Sequence, residues 1–145
     1  MSIDFQGRVA IVTGAGGGLG KQHALALAKR GAKVLVNDLG GNVHGEGGSV
    51  SAAQAVVDEI ISAGGEAIAN GASVTDYEAV QAMVKQAMDK WGRVDILVNN
   101  AGAAWGAEFD EFPESGWDKT VDLNMKTPFF LTQALAPLLR AASSK

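Results

Sequence analysis

Four short runs of β-forming residues alternate with longer stretches of helical periodicity along this chain. The runs occupy Arg8–Thr13, Lys33–Asp38, Glu66–Asn70 and Val94–Asn99. Apolar strands separated by helices of about ten or more residues are typical of βαβ units, in which helices cover both faces of a parallel sheet. Because crossover connections are right-handed, this pattern predicts a doubly wound α/β fold with the spatial strand order 3-2-1-4.

The helical patterns lie between these runs and are followed by residues that can end a helix. They occupy Gly18–Arg30, Val50–Ile61 and Val80–Trp91. The glycines that follow them are Gly31, Gly64 and Gly92. A Gly-rich insertion occupies residues 39–48, and no stretch has the composition of a linker between domains. We therefore expect residues 1–145 to form one domain.

Composition excludes several classes of function. The 145 residues include no Cys and only two His, so disulfides and thiolate or His-based metal sites are not expected. A net charge of −4, without a cluster of Lys and Arg, argues against binding of nucleic acid. No apolar run approaches the roughly 20 residues that span a bilayer, and the first residues do not resemble a signal peptide. We expect a cytoplasmic protein without a metal site.

A glycine-rich turn, Thr13–Gly20 (TGAGGGLG), joins the first strand to the first helix. In that context Gly14 permits a tight exit from the strand, and the missing side chain of Gly18 lets a diphosphate approach the backbone. Gly20 lets the helix pack closely on the strand, and the free N–H groups at the helix start bind the anion. The pattern favours a Rossmann-type dinucleotide site, although a merely flexible turn is the alternative.

Asp38 ends the second run, eighteen residues after Gly20. A dinucleotide fold places a carboxylate about 20 residues after its glycines, where it accepts hydrogen bonds from the ribose hydroxyls of adenosine. The same charge repels a 2′-phosphate, and Ala15–Leu19 contains no Arg or Lys to attract one. These features favour NAD over NADP. The alternative is an aspartate that only caps the end of the strand.

The glycine turn has the spacing Thr-Gly-x-x-x-Gly-x-Gly, and Asn99–Gly102 (NNAG) follows the fourth run. Together they resemble the short-chain dehydrogenase/reductase family, over nearly the whole chain from Gly7 onward. Val36–Gly41 is similar to the 3-hydroxyacyl-CoA dehydrogenase part of peroxisomal multifunctional enzymes, whereas Ala103–Arg140 is more similar to bacterial members. The resemblance implies an oxidoreductase that transfers hydride between nicotinamide and a secondary alcohol or ketone, with the peroxisome as an alternative compartment.

The resemblance also implies where the cofactor binds. It places the diphosphate on the glycine turn, the adenosine ribose at Asp38, and the adenine beside Ser73, where the family usually has Asp. Because Ser73 is uncharged, we expect a weaker contact with adenine. Asn99 is expected to brace the sheet beside the turn. The full set of expected cofactor-binding residues is Gly14, Gly16, Gly17, Gly18, Leu19, Gly20, Asp38, Ser73, Val74, Asn100, Ala101 and Gly102.

An asparagine interrupts the last apolar stripe. Steps of three and four residues lead from Trp117 to Leu138, with Asn124 in the middle of the stripe. A buried amide without partners costs about 1–3 kcal/mol, so Asn124 needs one. Pro128 has no N–H for the Asn124 carbonyl, and the helix should kink there. The resemblance implies that this carbonyl holds a water of a proton relay, which makes Asn124 the catalytic candidate. The alternative is a side chain turned toward a loop.

The family's acid/base pair is a Tyr followed four residues later by a Lys, and a Ser positions the substrate. The one tyrosine, Tyr77, is followed at that spacing by Gln81 and begins a helical pattern, so it is not this pair. We expect the chain to stop before the fifth strand of the fold, to lack the catalytic Ser and Tyr-x-x-x-Lys, and to be inactive alone. Whether it acts as an enzyme stays open.

Three functions are compatible with these residues. The first is the NAD-binding part of a dehydrogenase, and the second is a non-catalytic dinucleotide-binding or oligomerising module, natural or engineered. The third is a domain for another adenine ligand such as S-adenosylmethionine, which suits Asp38 but is disfavoured by the Asn-Asn-Ala-Gly turn. Since the fourth strand has an unpaired edge, we expect self-association through that edge and the last helix.

Overall fold

Four parallel strands form the centre of the computed structural model, which describes residues 3–40 and 51–144. The strands are hydrogen-bonded in the order β3-β2-β1-β4, so the predicted order 3-2-1-4 is confirmed. Their bounds are β1 Val9–Val12, β2 Lys33–Asn37, β3 Glu66–Asn70 and β4 Ile96–Val98. Most of the Gly-rich insertion and Val50 lie outside the described residues.

The two central strands are buried on both faces, as expected for a parallel sheet covered by helices. Every residue of Val9–Val12 is buried, and so are the last four residues of β2. Ile11 pairs with Leu35 on one face, and Val12 pairs with Val36 on the other. The alternation of side chains along each strand therefore supplies two separate cores.

Helices cover each of these cores. The helices are α1 Gly18–Lys29, α2 Ser51–Ser62, α3 Tyr77–Trp91, α4 Glu114–Val121 and α5 Thr127–Ser143, with a 3₁₀ turn at Phe109–Glu111. α1 and α2 pack through Ala24 and Ile60 against one face of the sheet. α3 and α5 pack through Met83 and Leu135 against the other. The doubly wound α/β arrangement is thus the observed one.

Three of the strands are shorter than the predicted runs, whereas β3 has the predicted bounds. Asp38 and Asn99, which end their runs in the sequence, lie just beyond the strands and enter loops. Thr13 also leaves the strand, although its N–H still donates to the carbonyl of Val98 at 3.1 Å. These residues share the carboxyl end of the sheet, where the chain turns away to build the cleft described below.

The last helical stripe is divided by a π-helical segment, Asp122–Lys126, between α4 and α5. The N–H of Thr127 donates to the carbonyl of Asp122, five residues earlier. A π turn takes up an extra residue, so the side chains before it are rotated relative to a regular helix. The prediction of one buried stripe is therefore wrong: Trp117 is 62% exposed and Asn124 is exposed, while Leu135 is buried.

A buried carboxylate joins β1 and β4 at the amino end of the sheet. The side chain of Asp95 is 1% exposed and accepts hydrogen bonds from Arg93 Nε at 2.8 Å and from the Val9 N–H at 2.9 Å. Burial raises the pKa of Asp95, but these hydrogen bonds and the charges of Arg93 and Arg8 outweigh it, so that the pKa lies below its usual value.

Candidate functional site

The carboxyl ends of the strands open into a cleft of about 260 Å³. It lies beside β1, where the chain order of the strands reverses, which is the usual ligand position in open α/β sheets. Seven of the twelve residues predicted to bind a cofactor line it, namely Gly14, Asp38, Ser73, Val74, Asn100, Ala101 and Gly102. The other lining residues are Asn37, Leu39, Ala72 and Leu123. The remaining predicted residues, 16–20, belong to the adjoining turn and the start of α1.

Two glycines of the turn lie where no side chain fits. Gly14 has φ +62°, and a Cβ there would lie 2.9 Å from the Cα of Ala101. A Cβ on Gly20 would collide with the carbonyl oxygen of Gly14 and with the side-chain Nδ2 of Asn100. The tight exit from β1 and the close packing of α1 on it are therefore as predicted.

The start of α1 has no side-chain cap and no acidic residue in its first turn. Gly17, in an extended conformation with φ −169°, precedes the helix and offers no side chain to cap it. Gly18 has φ +53°, and none of the described residues has an atom within 4 Å of the position that a Cβ would take there. The first N–H groups of a helix have no acceptor within it, and the first turn of α1 contains no acidic residue. An anion bound there would meet free N–H groups and the positive end of the helix dipole.

Asp38 is held beside this turn by two backbone N–H groups. Its Oδ2 accepts from Gly16 at 2.8 Å, and its Oδ1 accepts from Gly40 at 2.7 Å. A Cβ on Gly16 would lie 2.8 Å from the same carboxylate and 2.8 Å from the Cβ of Ala52. Gly16 thus gives its N–H to Asp38, and the donors among the described residues fill two of the roughly four acceptor sites of this carboxylate.

A threonine at the end of β1 joins the two motifs. The Thr13 hydroxyl oxygen accepts from the N–H groups of Asn100 at 3.1 Å and Ala101 at 3.0 Å. Its hydroxyl donates to the carbonyl of Val98 at 3.3 Å. The sequence interpretation includes Thr13 in the glycine motif but gives it no role, and the available signal is a hydroxyl residue directly before the first glycine of the turn.

Asn100 braces the glycine turn, whereas Asn99, the residue predicted to brace the sheet beside that turn, bonds with α5. The Asn100 Nδ2 donates to the carbonyl of Gly14 at 3.0 Å. Asn99 is exposed, and its Nδ2 donates to the hydroxyl of Thr132 at 3.0 Å. The backbone direction at the end of β4 turns the second amide of the motif toward the turn and the first toward α5.

Asn124 contacts the loop that follows the Asn-Asn-Ala-Gly turn. Its Nδ2 donates to the Ala103 carbonyl at 2.7 Å, and its Oδ1 accepts from the Ala103 N–H at 3.1 Å. A Cβ on Gly102 would lie 2.7 Å from the same Oδ1. Asn124 is therefore satisfied by a neighbouring loop, and not inside an apolar stripe. The contact holds one wall of the cleft close to the π-helical segment.

The opposite wall is the connection between β3 and α3. The Ser73 hydroxyl lies 2.9 Å from that of Thr75, and the hydroxyl of Thr127 donates to the Val74 carbonyl at 3.3 Å. Tyr77 lies at the start of α3, is 68% exposed and does not line the cleft. Nothing in its position supports an acid/base role.

The aromatic residues after β4 do not line this cleft. A Cβ on Gly116 would lie 2.7 Å from the indole of Trp105, whose ring centroid is 5.9 Å from Lys119 Nζ. Trp105 thus anchors its loop on α4, while Phe109 is 94% exposed. A groove of about 880 Å³ at the other end of the sheet contains none of the predicted residues.

Two searches cover only the part of the chain that the structure describes. In residues 3–40 and 51–144, no cluster of three or more His, Cys, Asp and Glu is placed to hold a metal ion. Within the same ranges, no helix combines the length and apolarity that crossing a membrane requires.

Comparison with known sequences shows the family. The family model described as short chain dehydrogenase matches residues 8–145. Peroxisomal multifunctional enzyme A from Dictyostelium discoideum is 49% identical over 134 residues, which are 92% of this chain and 30% of that protein. The chain therefore spans less than a third of that curated relative.

Solved structures agree with this assignment. A short chain dehydrogenase from Mycobacterium avium matches with a TM-score of 0.84 and 41% identity, over 97% of this chain and 50% of that one. A 7α-hydroxysteroid dehydrogenase in complex with NADH and 7-oxo glycochenodeoxycholic acid matches with a TM-score of 0.83 and 38% identity, over 93% of this chain and 49% of that one. A metagenomic short-chain oxidoreductase in complex with NADP matches with a TM-score of 0.83 and 34% identity, over 95% of this chain and 59% of that one. With its sequence matched over most of its length and its sheet order shared, the chain belongs to the short-chain dehydrogenase family.

Proposed function

We propose that this chain binds a nicotinamide dinucleotide in the cleft and forms the cofactor-binding part of an oxidoreductase. The observation that carries the proposal is the open start of α1, with Gly18 unobstructed and Asp38 fixed beside it by two N–H groups. A diphosphate fits a helix start of this kind, and the hydroxyl groups of a ribose fit a carboxylate to which the described residues donate only two hydrogen bonds. The bound dinucleotide would supply a hydride acceptor or donor.

NAD is the preferred cofactor in this proposal. Structures of relatives contain NADH in one case and NADP in another, so family membership does not decide between them. The carboxylate of Asp38 would repel a 2′-phosphate, and none of the described residues that line the cleft is Arg or Lys. Charge at the ribose position therefore favours the cofactor without the extra phosphate.

The substrate class follows from the likeness to peroxisomal multifunctional enzymes. We propose a secondary alcohol or ketone, with 3-hydroxyacyl-CoA as the first compound to test, in the cytoplasm or the peroxisome. Asn124 would take part through its main-chain carbonyl, to which Pro128 has no N–H to donate. Because Tyr77 is exposed outside the cleft, these residues bind the cofactor, while turnover needs acid/base groups that they do not include.

A non-catalytic dinucleotide-binding module is the second candidate. It is favoured by the same position of Tyr77 and by the described lining of the cleft, which contains no Tyr, Lys or His and whose one carboxylate, Asp38, is assigned to the ribose. Incubating the protein with NAD and a 3-hydroxyacyl-CoA separates the two candidates. Formation of NADH would support a catalytic role for this chain, and binding without NADH formation would support the module.

Titration with NAD and NADP tests cofactor binding, for example by following tryptophan fluorescence. We expect NAD to bind more tightly than NADP, and Asp38→Asn to reduce this preference by removing the charge. Asp58→Asn is the matched control, because Asp58 is exposed on α2, accepts a hydrogen bond from Gln54 Nε2 at 2.8 Å and does not line the cleft. If wild-type protein binds neither dinucleotide, the proposed function is wrong. If NADP binds as tightly as NAD, the role of Asp38 is wrong.

A further inference from the structure

A chain of buried and half-buried amides lies beneath the cleft, at the carboxyl ends of β2 and β3. Asn37, the last residue of β2, is 1% exposed. Its Nδ2 donates to Asn70 Oδ1 at 3.0 Å and to the carbonyl of Ala72 at 2.9 Å. No residue of this group belongs to the glycine turn or the Asn-Asn-Ala-Gly motif.

Asn70 extends the network to α3. Its Oδ1 also accepts from the N–H of Ala72 at 2.9 Å, and its Nδ2 donates to Gln86 Oε1 at 2.9 Å. The Nε2 of Gln86 donates in turn to the carbonyl of Ala69 at 3.1 Å. Both the N–H and the carbonyl of Ala72 are therefore held by side chains.

Ala72 begins the wall of the cleft that continues through Ser73 and Val74. This segment follows the end of β3, so no strand neighbour holds it in place. Side-chain amides supply the hydrogen bonds that a sheet supplies elsewhere, and a connected network of such bonds favours one arrangement of the backbone.

Asn37 also connects this wall to the rest of the site through its backbone. Its carbonyl accepts from the N–H of Ala15, in the glycine turn, at 2.8 Å. Asp38 follows it directly in the chain, and the N–H of Asp38 donates to the carbonyl of Asn70 at 3.0 Å. One residue thus contacts the diphosphate turn, precedes the ribose carboxylate and fixes the segment beside the adenine position.

We propose that Asn37 is a positioning residue for the adenosine half of the dinucleotide, acting through Asn70 and Ala72. The inference rests on the proposed function, because it concerns a ligand of the same cleft. Replacing Asn37 alone leaves the Ala72 carbonyl without this donor, and an unpaired carbonyl in a partly buried position is costly, so the Asn37 side chain favours the one position of this segment in which the bond forms. Its contribution is to the position of the wall.

The test compares AMP with inorganic pyrophosphate as ligands, in titrations of the whole chain. In Asn37→Leu the Ala72 carbonyl loses its donor while the start of α1 is unchanged. We expect the dissociation constant for AMP to rise about tenfold, as loss of one well-placed hydrogen bond implies, and that for pyrophosphate to stay within about twofold. The same loss should appear for NAD.

Gln86→Met gives a second variant in case Asn37→Leu does not fold. Gln86 does not line the cleft, so its loss acts from outside by releasing Asn70 and the Ala69 carbonyl, and AMP should bind several-fold more weakly. Asp95→Asn is the control, because it removes buried hydrogen bonds at the opposite end of the sheet and should leave AMP binding unchanged.

Each outcome bears on one conclusion. If wild-type protein binds NAD and AMP but a folded Asn37→Leu or Gln86→Met variant binds AMP equally well, this inference alone is overturned. Equal losses for AMP and pyrophosphate, or an equal loss in Asp95→Asn, would also overturn it, since both indicate a general effect on stability. If the wild type binds neither NAD nor AMP, the proposed function is wrong, and this inference, which rests on it, is wrong as well.

Discussion

Replacing Gly16 by Ala should weaken NAD binding by displacing the carboxylate of Asp38. A Cβ at position 16 would lie 2.8 Å from Cγ and Oδ2 of Asp38 and 2.8 Å from the Cβ of Ala52. Carbon atoms pack at about 3.5–4.0 Å, so one of these neighbours must move. The methyl group of Ala52 sits on α2 and has no rotamer to change, whereas the Asp38 side chain can turn. The carboxylate is therefore the group that moves.

The size of the effect follows from the hydrogen bond that is lost. Asp38 Oδ2 gives up its 2.8 Å bond from the Gly16 N–H and keeps the bond from Gly40. Hydrogen bonds to charged groups contribute about 1.5–3 kcal/mol, and the partial exposure of Asp38 places it at the lower end. We expect a folded variant whose free energy of unfolding falls by about 1–2 kcal/mol. Its NAD affinity should fall by about tenfold, the equivalent of about 1.4 kcal/mol.

Two measurements on matched variants check this prediction. Titration with NAD, followed by tryptophan fluorescence, gives the affinity, and thermal unfolding gives the stability. Gly106→Ala is the control, because nothing lies within 4 Å of the Cβ position at Gly106. NADP binding should change less than NAD binding, because Asp38 opposes the 2′-phosphate. A folded Gly16→Ala variant with wild-type affinity for NAD would refute the idea that Asp38 holds the cofactor.

Three further predictions concern stability, the Asn124 contact and assembly. Asp95→Asn should lower the free energy of unfolding by about 2 kcal/mol near neutral pH, against about 0.5 kcal/mol or less for the exposed Asp89→Asn. Because the pKa of Asp95 is depressed in the folded protein, the wild-type advantage should be lost as the pH falls below about 3.9, as urea unfolding at several pH values would show. Asn124→Ala should reduce NAD affinity several-fold in the same NAD titration, since Ala103 loses both of its bonds to the side chain. Finally, sedimentation should show self-association that Phe129→Glu reduces, because Phe129 is 63% exposed on α5, and a wild-type monomer with cooperative melting would contradict this.

The sheet order and the glycine turn are predictable from the sequence because each combines a strong local pattern with a general rule. Apolar runs such as Val9–Val12 alternate with helical stretches, and right-handed crossovers then leave few strand orders. A strand before Gly14 and a helix that includes Gly20 indicate from the sequence that neither position has room for a Cβ, as the structure shows. The position of Asp38 beside the turn is predictable because it ends the second run, eighteen residues after Gly20.

Contacts between distant side chains are less predictable. The Asn-Asn-Ala-Gly motif contains two adjacent amides, and only the backbone direction after β4 decides that Asn100 bonds with Gly14 while Asn99 bonds with Thr132. Likewise, Asn37 appears in the sequence as one polar residue at the end of an apolar run. That it meets Asn70 depends on the register between β2 and β3, in which these two residues are direct partners.

Asn124 shows how a local backbone change alters the side-chain pattern of a helix. The stripe through Leu138 assumes about 3.6 residues per turn, but the π-helical segment Asp122–Lys126 is wider. The sequence contains the cause in Pro128, which cannot donate to the carbonyl four residues earlier. A kink, a bound water or a wider turn would each accommodate the missing hydrogen bond, and the sequence alone does not show which of them occurs. The wider turn brings the Asn124 side chain to Ala103, so an irregular helix places this amide beside the cleft, where π turns are often found in functional sites.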